Sequence, residues 1–100
     1  MPTILITAPP SAAPDLARLL VEERLAACVN RVECRSTYRW EGSVHEEAEE
    51  IILAKTESER VADLVAAVET EHPHDTPCIE RFDEDVLVRA YERWREDAVL

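Results

Sequence analysis

Between Val32 and Trp40 the even positions read Val32, Cys34, Ser36, Tyr38 and Trp40, and the odd ones Glu33, Arg35, Thr37 and Arg39. A period of two sorts side chains onto opposite faces of an extended strand. The only glycine of the chain follows at once, in Glu41-Gly42-Ser43, where a hairpin reversal needs a residue that accepts positive φ. A second strand then runs from Val44 to Lys55, acidic at its start (Glu46, Glu47, Glu49, Glu50) and apolar at its end (Ile51, Ile52, Leu53, Ala54). The acidic start reads as a solvated, self-repelling edge. If the first strand begins at Cys28 it spans roughly 43 Å at about 3.3 Å per residue, whereas a helix of about fourteen residues reaches only about 21 Å. The far half of the hairpin therefore projects beyond any helix that covers its base.

The flanking segments supply those helices. Thr3 to Thr7 is a short apolar run closed by Ala8-Pro9-Pro10, a buried strand. Ser11 offers an N-cap oxygen, Pro14 and Asp15 suit a first turn, and Ala13, Leu16, Ala17, Leu20 and Val21 share one helical face up to about Arg24. Thr56 and Glu59 form a capping-box pattern before a second stripe, Val61, Leu64, Val65 and Val68, and Pro73 ends that helix near His72. A short strand is expected from Cys78 to Phe82, then a last helix capped by Asp83 or Asp85 with Leu87, Ala90, Tyr91 and Trp94 on its face. The order strand, helix, strand, strand, helix, strand, helix predicts an α+β fold: a ferredoxin-like βαββαβ sandwich with an extra C-terminal helix, in one domain over 1–100.

Two such helices cover one face of an antiparallel sheet, and the other face is left over. Tyr38 and Trp40 stand together on the projecting arm, where exposed adjacent aromatics are costly without a neighbour. They either fold under the last helix of their own chain or are buried by another copy. The length of the arm favours an obligate oligomer, with contacts expected at Tyr38, Arg39, Trp40 and Glu41 of the arm and at Trp94 of the last helix.

Twenty-two acidic against eleven basic side chains give a net charge of −11, and Lys55 is the only lysine. Such a surface repels nucleic acid and anionic membranes, so neither is an expected partner. An acid-rich, lysine-poor composition suits a halophilic organism, because salt screens the self-repulsion. No segment nears the roughly 18 to 20 apolar residues of a membrane span, and the start lacks a secretory signature, which predicts a cytoplasmic protein. Cys28, Cys34 and Cys78 are odd in number and have no C-x-x-C spacing, which argues for reduced thiols rather than a disulfide framework or a zinc knuckle.

The heptad "HPHDTPC", His72 to Cys78, gathers His72, His74, Asp75 and Cys78. This is a chemically reasonable donor set for Cu²⁺ or another divalent cation. Pro73 and Pro77 also make it a turn in which successive side chains diverge, so a structural junction and a weak metal site are the two readings.

"TAP" at Thr7 to Pro9, "ERLAACVN" at Glu23 to Asn30, "YRWEG" at Tyr38 to Gly42, "LAKT" at Leu53 to Thr56 and "HPHDTP" at His72 to Pro77 closely resemble, in order, the motifs of the CutA family of divalent-cation tolerance proteins. The C-terminal part matches less closely, through "AYERW" alone. The resemblance implies a PII-like homotrimer, a non-catalytic association with divalent cation and particularly copper tolerance, and copper ligands from a cysteine before Thr-Ala-Pro and from consecutive histidines before proline. This chain carries Ile6 and the pair Glu71-His72 at those positions, so two of the three implied ligands are absent. The alternative function is a PII-like sensor whose intersubunit cleft accepts a small anionic metabolite at Arg31, Arg35 and Arg39, residues that share one strand face and otherwise pair across to Glu46, Glu47 and Glu49. No nucleophile motif, H-E-x-x-H helix or glycine-rich phosphate loop points to an enzyme, and His45 is expected to face solvent from its strand.

Overall fold

The computed structural model describes all residues from Met1 to Leu100. Strands β1 (Pro2–Ala8), β2 (Cys28–Trp40), β3 (Ser43–Lys55) and β4 (Ile79–Asp83) alternate with helices α1 (Ala13–Glu22), α2 (Val61–Glu71) and α3 (Arg89–Ala98). The strands form one antiparallel sheet in the order β2-β3-β1-β4. This is the α+β ferredoxin-like architecture expected from the element order, with the extra helix at the C-terminus.

The strand period builds the core. Ile4, Ile6 and Ala8 of β1 lie beside Ala54 and Ile52 of β3 on one face, and Leu16 and Leu20 of α1 and Leu64 and Val68 of α2 close over them. These side chains are almost wholly buried, each stabilising the fold by about 1.5–3 kcal/mol for a large aliphatic group. On the opposite face Thr3, Leu5 and Thr7 of β1 and Ile51 and Leu53 of β3 remain half-buried.

β2 and β3 pair without interruption from Cys28↔Lys55 at the base to Trp40↔Ser43 at the tip. Between the last pair, Glu41 (φ 50°) and Gly42 (φ 79°) both take positive φ, the two-residue turn whose twist matches an antiparallel hairpin. The hairpin gives the protomer extents of 46 × 26 × 19 Å and a radius of gyration of 14.1 Å, above the roughly 13 Å of a compact 100-residue domain.

Several local expectations are corrected by tertiary contacts. Ser11 does not cap α1: the backbone N–H groups of Ala12 and Ala13 donate to the Pro9 carbonyl instead. α1 ends at Glu22 because Arg24 turns left-handed at φ 57°, and the N–H groups of Arg24 and Leu25 donate to Val21 and Leu20 carbonyls. This is a Schellman closure made with arginine where glycine is usual. Thr56 forms no capping box. Its buried hydroxyl donates to the Leu25 carbonyl at 2.6 Å, and a 3₁₀ turn, Ser58–Arg60, leads into α2. Asp83 and Asp85 do not cap α3, which starts only at Arg89 after an extended stretch, with Val88 as N-cap. Leu87 is therefore 91% exposed and not on a helix face.

α3 is held by Arg95, 1% exposed. Its guanidinium donates to Glu84 Oε2 at 2.8 Å, to the Thr56 carbonyl at 3.2 Å and to the Pro2 carbonyl. Partial burial works to raise the Glu84 carboxyl, but hydrogen bonds from Thr3 and Arg95 outweigh it and hold the group below the ordinary carboxylate range. A depressed folded-state value adds stability that is present above the unfolded value and lost as pH falls through the folded one.

Arg95→Met should lower stability in urea by about 3–5 kcal/mol, since it removes the charged partner of Glu84 and one donor from each of two carbonyls, and Glu84→Gln should flatten the acid limb of the stability–pH profile. Unchanged midpoints in both variants would show that α3 is held otherwise. Arg24→Gly should raise stability by about 1 kcal/mol by relieving the left-handed strain.

Candidate functional site

The register of the arm decides which residues meet. Residues opposite each other in an antiparallel pair share a face, so Arg31, Glu33, Arg35, Thr37 and Arg39 lie with Ile52, Glu50, Ala48, Glu46 and Val44 on the helix side. Cys34, Ser36, Tyr38 and Trp40 lie with Glu49, Glu47, His45 and Ser43 on the open side. The three arginines are thus all on one face, and Glu47 and Glu49 are both on the other.

The expected pairing of Arg31, Arg35 and Arg39 with Glu46, Glu47 and Glu49 is corrected accordingly. Only Glu46 shares their face, and Arg31 instead donates to Glu50 Oε1 at 2.9 Å. Arg35 lines a separate depression of about 400 Å³ with Pro10, Glu33 and Glu50, and Arg39 is exposed near the tip. The three do not converge on one ligand position, because Arg31 is already committed to a carboxylate.

On the open side a cleft of about 700 Å³ lies between the arm and the turn that follows α2. Thr7 forms its floor, Ser36, Tyr38, Trp40 and Glu49 one wall, and His74, Asp75 and Cys78 the other. Tyr38 stacks on His45 with ring centroids 5.5 Å apart and planes 17° from parallel, so His45 is half-buried rather than solvent-facing. Partial desolvation, then the neighbouring carboxylates of Glu47 and Glu49, push the Tyr38 phenol above its usual range. Glu49 is only 9% exposed.

His72 is sealed into the fold. Its Nδ1 accepts from the His74 backbone N–H at 3.0 Å, which leaves Nε2 as the donor to the Thr7 carbonyl at 2.8 Å. With both ring nitrogens engaged, no lone pair is left for a metal. His74 packs its ring 4.9 Å from that of His72, Asp75 is exposed, and the Cys78 thiol lies 3.5 Å from Glu80 Oε1. Burial, and then Glu80, raise the Cys78 thiol above its usual range, which disfavours the thiolate a metal requires. No three His, Cys, Asp or Glu side chains converge as a metal-binding group, so the residues present do not form a ready site for the divalent cation that the heptad suggests.

Trp40 and Trp94 are both about half exposed, at 50% and 47%. Trp94 packs against Tyr91 on α3, whose ring lies 5.9 Å from Lys55 Nζ at the base of the hairpin. α3 therefore sits at the opposite end of the hairpin from the tip and does not cover Tyr38 or Trp40. Arg39 and Glu41 are exposed beside them. The acidic start of β3, expected as a solvated edge, is corrected: β3 lies inside the sheet, and Glu49 and Glu50 are each 9% exposed, while Arg95 is the residue the sequence does not single out. The shared parity of Glu47 and Glu49 was a readable sign of one acidic face, whereas nothing local marks Arg95 as buried.

Comparison with known proteins agrees with this geometry. A family model described as CutA1 divalent ion tolerance protein matches residues 3–98. The chain is similar to the divalent-cation tolerance protein CutA of Archaeoglobus fulgidus, with 34% identity over 96% of this chain and 95% of that protein, and to that of Thermus thermophilus, with 45% identity over 74% of each. In structure it is similar to the PII-like protein CutA from Nostoc sp. PCC 7120 in apo form, with a TM-score of 0.95 and 30% identity over 100% of this chain and 98% of that one. The A. fulgidus structure, described as a periplasmic divalent cation tolerance protein, gives a TM-score of 0.95 and 33% identity over the whole of both chains. With its motifs in order, its sheet topology shared and nearly its full length matched, this chain belongs to the CutA1 divalent ion tolerance family.

Proposed function

We propose that the protein acts as a non-catalytic homotrimer in divalent-cation tolerance, with assembly rather than a reactive site as its working feature. The observation that carries this reading is the uncovered sheet face. Val32 and Phe82 are 50% and 52% exposed there, beside half-buried Leu5, Ile51 and Leu53, and the arm carries Trp40 beyond them. An apolar sheet face of this extent is costly in water and marks an interaction surface. β2 and β4 are free edges on opposite sides of the sheet, which suits a head-to-tail contact that closes into a ring. The number three comes from the family resemblance, with Tyr38, Arg39, Trp40, Glu41 and Trp94 as the proposed contacts. Three free cysteines suit a reducing, cytoplasmic compartment.

A divalent cation at the turn after α2 would have to draw on His74, Asp75 and Cys78, since His72 is already engaged. Untagged protein dialysed against Cu²⁺ at neutral pH should retain less than about one ion per three chains. Stoichiometric retention, lost in His74→Ala, would instead establish a metal site at this turn.

Native mass spectrometry of untagged protein should give the trimer mass. With −11 on each chain, light scattering should show tighter association in about 1 M salt than in dilute buffer, as screening relieves repulsion between copies. A monomer in concentrated salt with its tryptophans shielded from quenchers would overturn the assembly. Equal association at both salt levels would remove the halophilic adaptation alone.

A further inference from the structure

We propose that Glu57 is a proton-operated release for α3: protonated, it lets the C-terminal helix close against the end of β3, and ionised, it loosens that docking. Glu57 stands between Thr56 and the 3₁₀ turn Ser58–Arg60, with extended backbone at φ −116° and ψ 154°. A side-chain oxygen at such a position ordinarily turns back to cap the first free N–H groups, yet Glu57 makes no cap bond. Its Oε1 is instead buried with no hydrogen-bond partner. A carboxylate oxygen removed from water in this way disfavours the charged form unless a cation bonds it. The cation at hand is Arg95 of α3, but its bonds go to Glu84 Oε2 and to the Thr56 and Pro2 carbonyls. Two carboxylates therefore share the field of one arginine, and only Glu84 is bonded to it.

The groups around Glu57 come from three elements. Loss of water pushes its carboxyl above the ordinary range; Arg95 opposes this, Glu96 of α3 and Glu59 of the 3₁₀ turn reinforce it, and the amino group of Met1 opposes it. The repulsion from Glu96 crosses from the turn to the helix, so ionised Glu57 pushes on α3 itself. A raised folded-state value contributes stability that is complete below the unfolded value and is lost as pH rises through the folded one. Glu84, depressed by its bonds to Thr3 and Arg95, runs the other way, and its contribution is lost as pH falls through the folded value. Together the two groups hold α3 most firmly near the unfolded glutamate value of about 4.3. Trp94 adjoins Arg95 on this helix, so the release sets how firmly the aromatic end of the chain is presented. The device lies within one chain and does not rest on the trimer reading.

The test is amide hydrogen exchange of the untagged full chain, corrected for intrinsic rates, with α3 compared against the β1 and β3 core and oligomer mass recorded on the same samples. Glu57→Gln should protect α3 roughly threefold or more beyond the parent at about pH 7.5 and match it at about pH 4.5. Glu96→Gln should give a smaller gain at the same neutral pH. Three results would overturn the proposal: no gain in Glu57→Gln at neutral pH, an equal gain at both pH values, or a gain spread evenly over the core amides. A Glu57→Gln variant that loses both protection and oligomer mass would overturn it too, by showing that a cation of a neighbouring copy already pairs with Glu57. A monomer with the same pH-dependent gain would remove the trimer and leave the release standing.

Discussion

Thirteen consecutive cross-strand pairs between β2 and β3 are the constraint from which the rest of the protein follows. The base of this ladder is covered by α1 and α2, so Ile52 and Ala54 enter the core. The outer part has no helix over it, and its two faces are free to differ. Because the period is two, the sorting of charge onto those faces is fixed as soon as the turn at Glu41-Gly42 sets the register. A slip of one residue would exchange the acidic face with the arginine face and expose Ile52. The apolar base therefore specifies the electrostatics of the tip, although the two share no contact.

The C-terminal end depends on a different interaction. Arg95 brings its charge into the protomer and gives it a carboxylate and two backbone carbonyls, so a single side chain ties α3 to β1, to the end of β3 and to the segment after β4. Lys55, whose ammonium lies near the Tyr91 ring, and Arg60, which donates to the Val99 carbonyl at 2.8 Å, add to this anchor. The order of the chain end is thus bought by polar contacts rather than by an apolar stripe, which is why hydrophobic spacing misplaces the start of α3.

What the sequence made legible was periodic and what it hid was tertiary. The alternation from Val32 to Trp40, the glycine at the reversal and the apolar stripes of α1 and α2 each declare an element through neighbours a few positions away. Thr56 and Ser11 read as caps for the same local reason, but Thr56 is taken by the Leu25 carbonyl 31 positions away, and the proline turn before α1 satisfies its own N–H groups. The heptad shows the same limit in the site. Residue types alone made four donors of His72, His74, Asp75 and Cys78, while the fold commits both nitrogens of His72 to backbone groups. The arginines show the limit more simply: Glu46 and Glu47 are adjacent in sequence and face opposite ways, so only one of them can share the arginine face.

The same sorting bears on the copper ligands implied by the family resemblance. Ile6 pairs with Ile52 on the helix side and is fully buried, Glu71 is exposed at the end of α2, and His72 is sealed against β1. Even a cysteine restored at position 6 would lie in the core of this protomer, where a thiol resists ionisation. A metal site at those three positions would require rearrangement of the core as well as two substitutions.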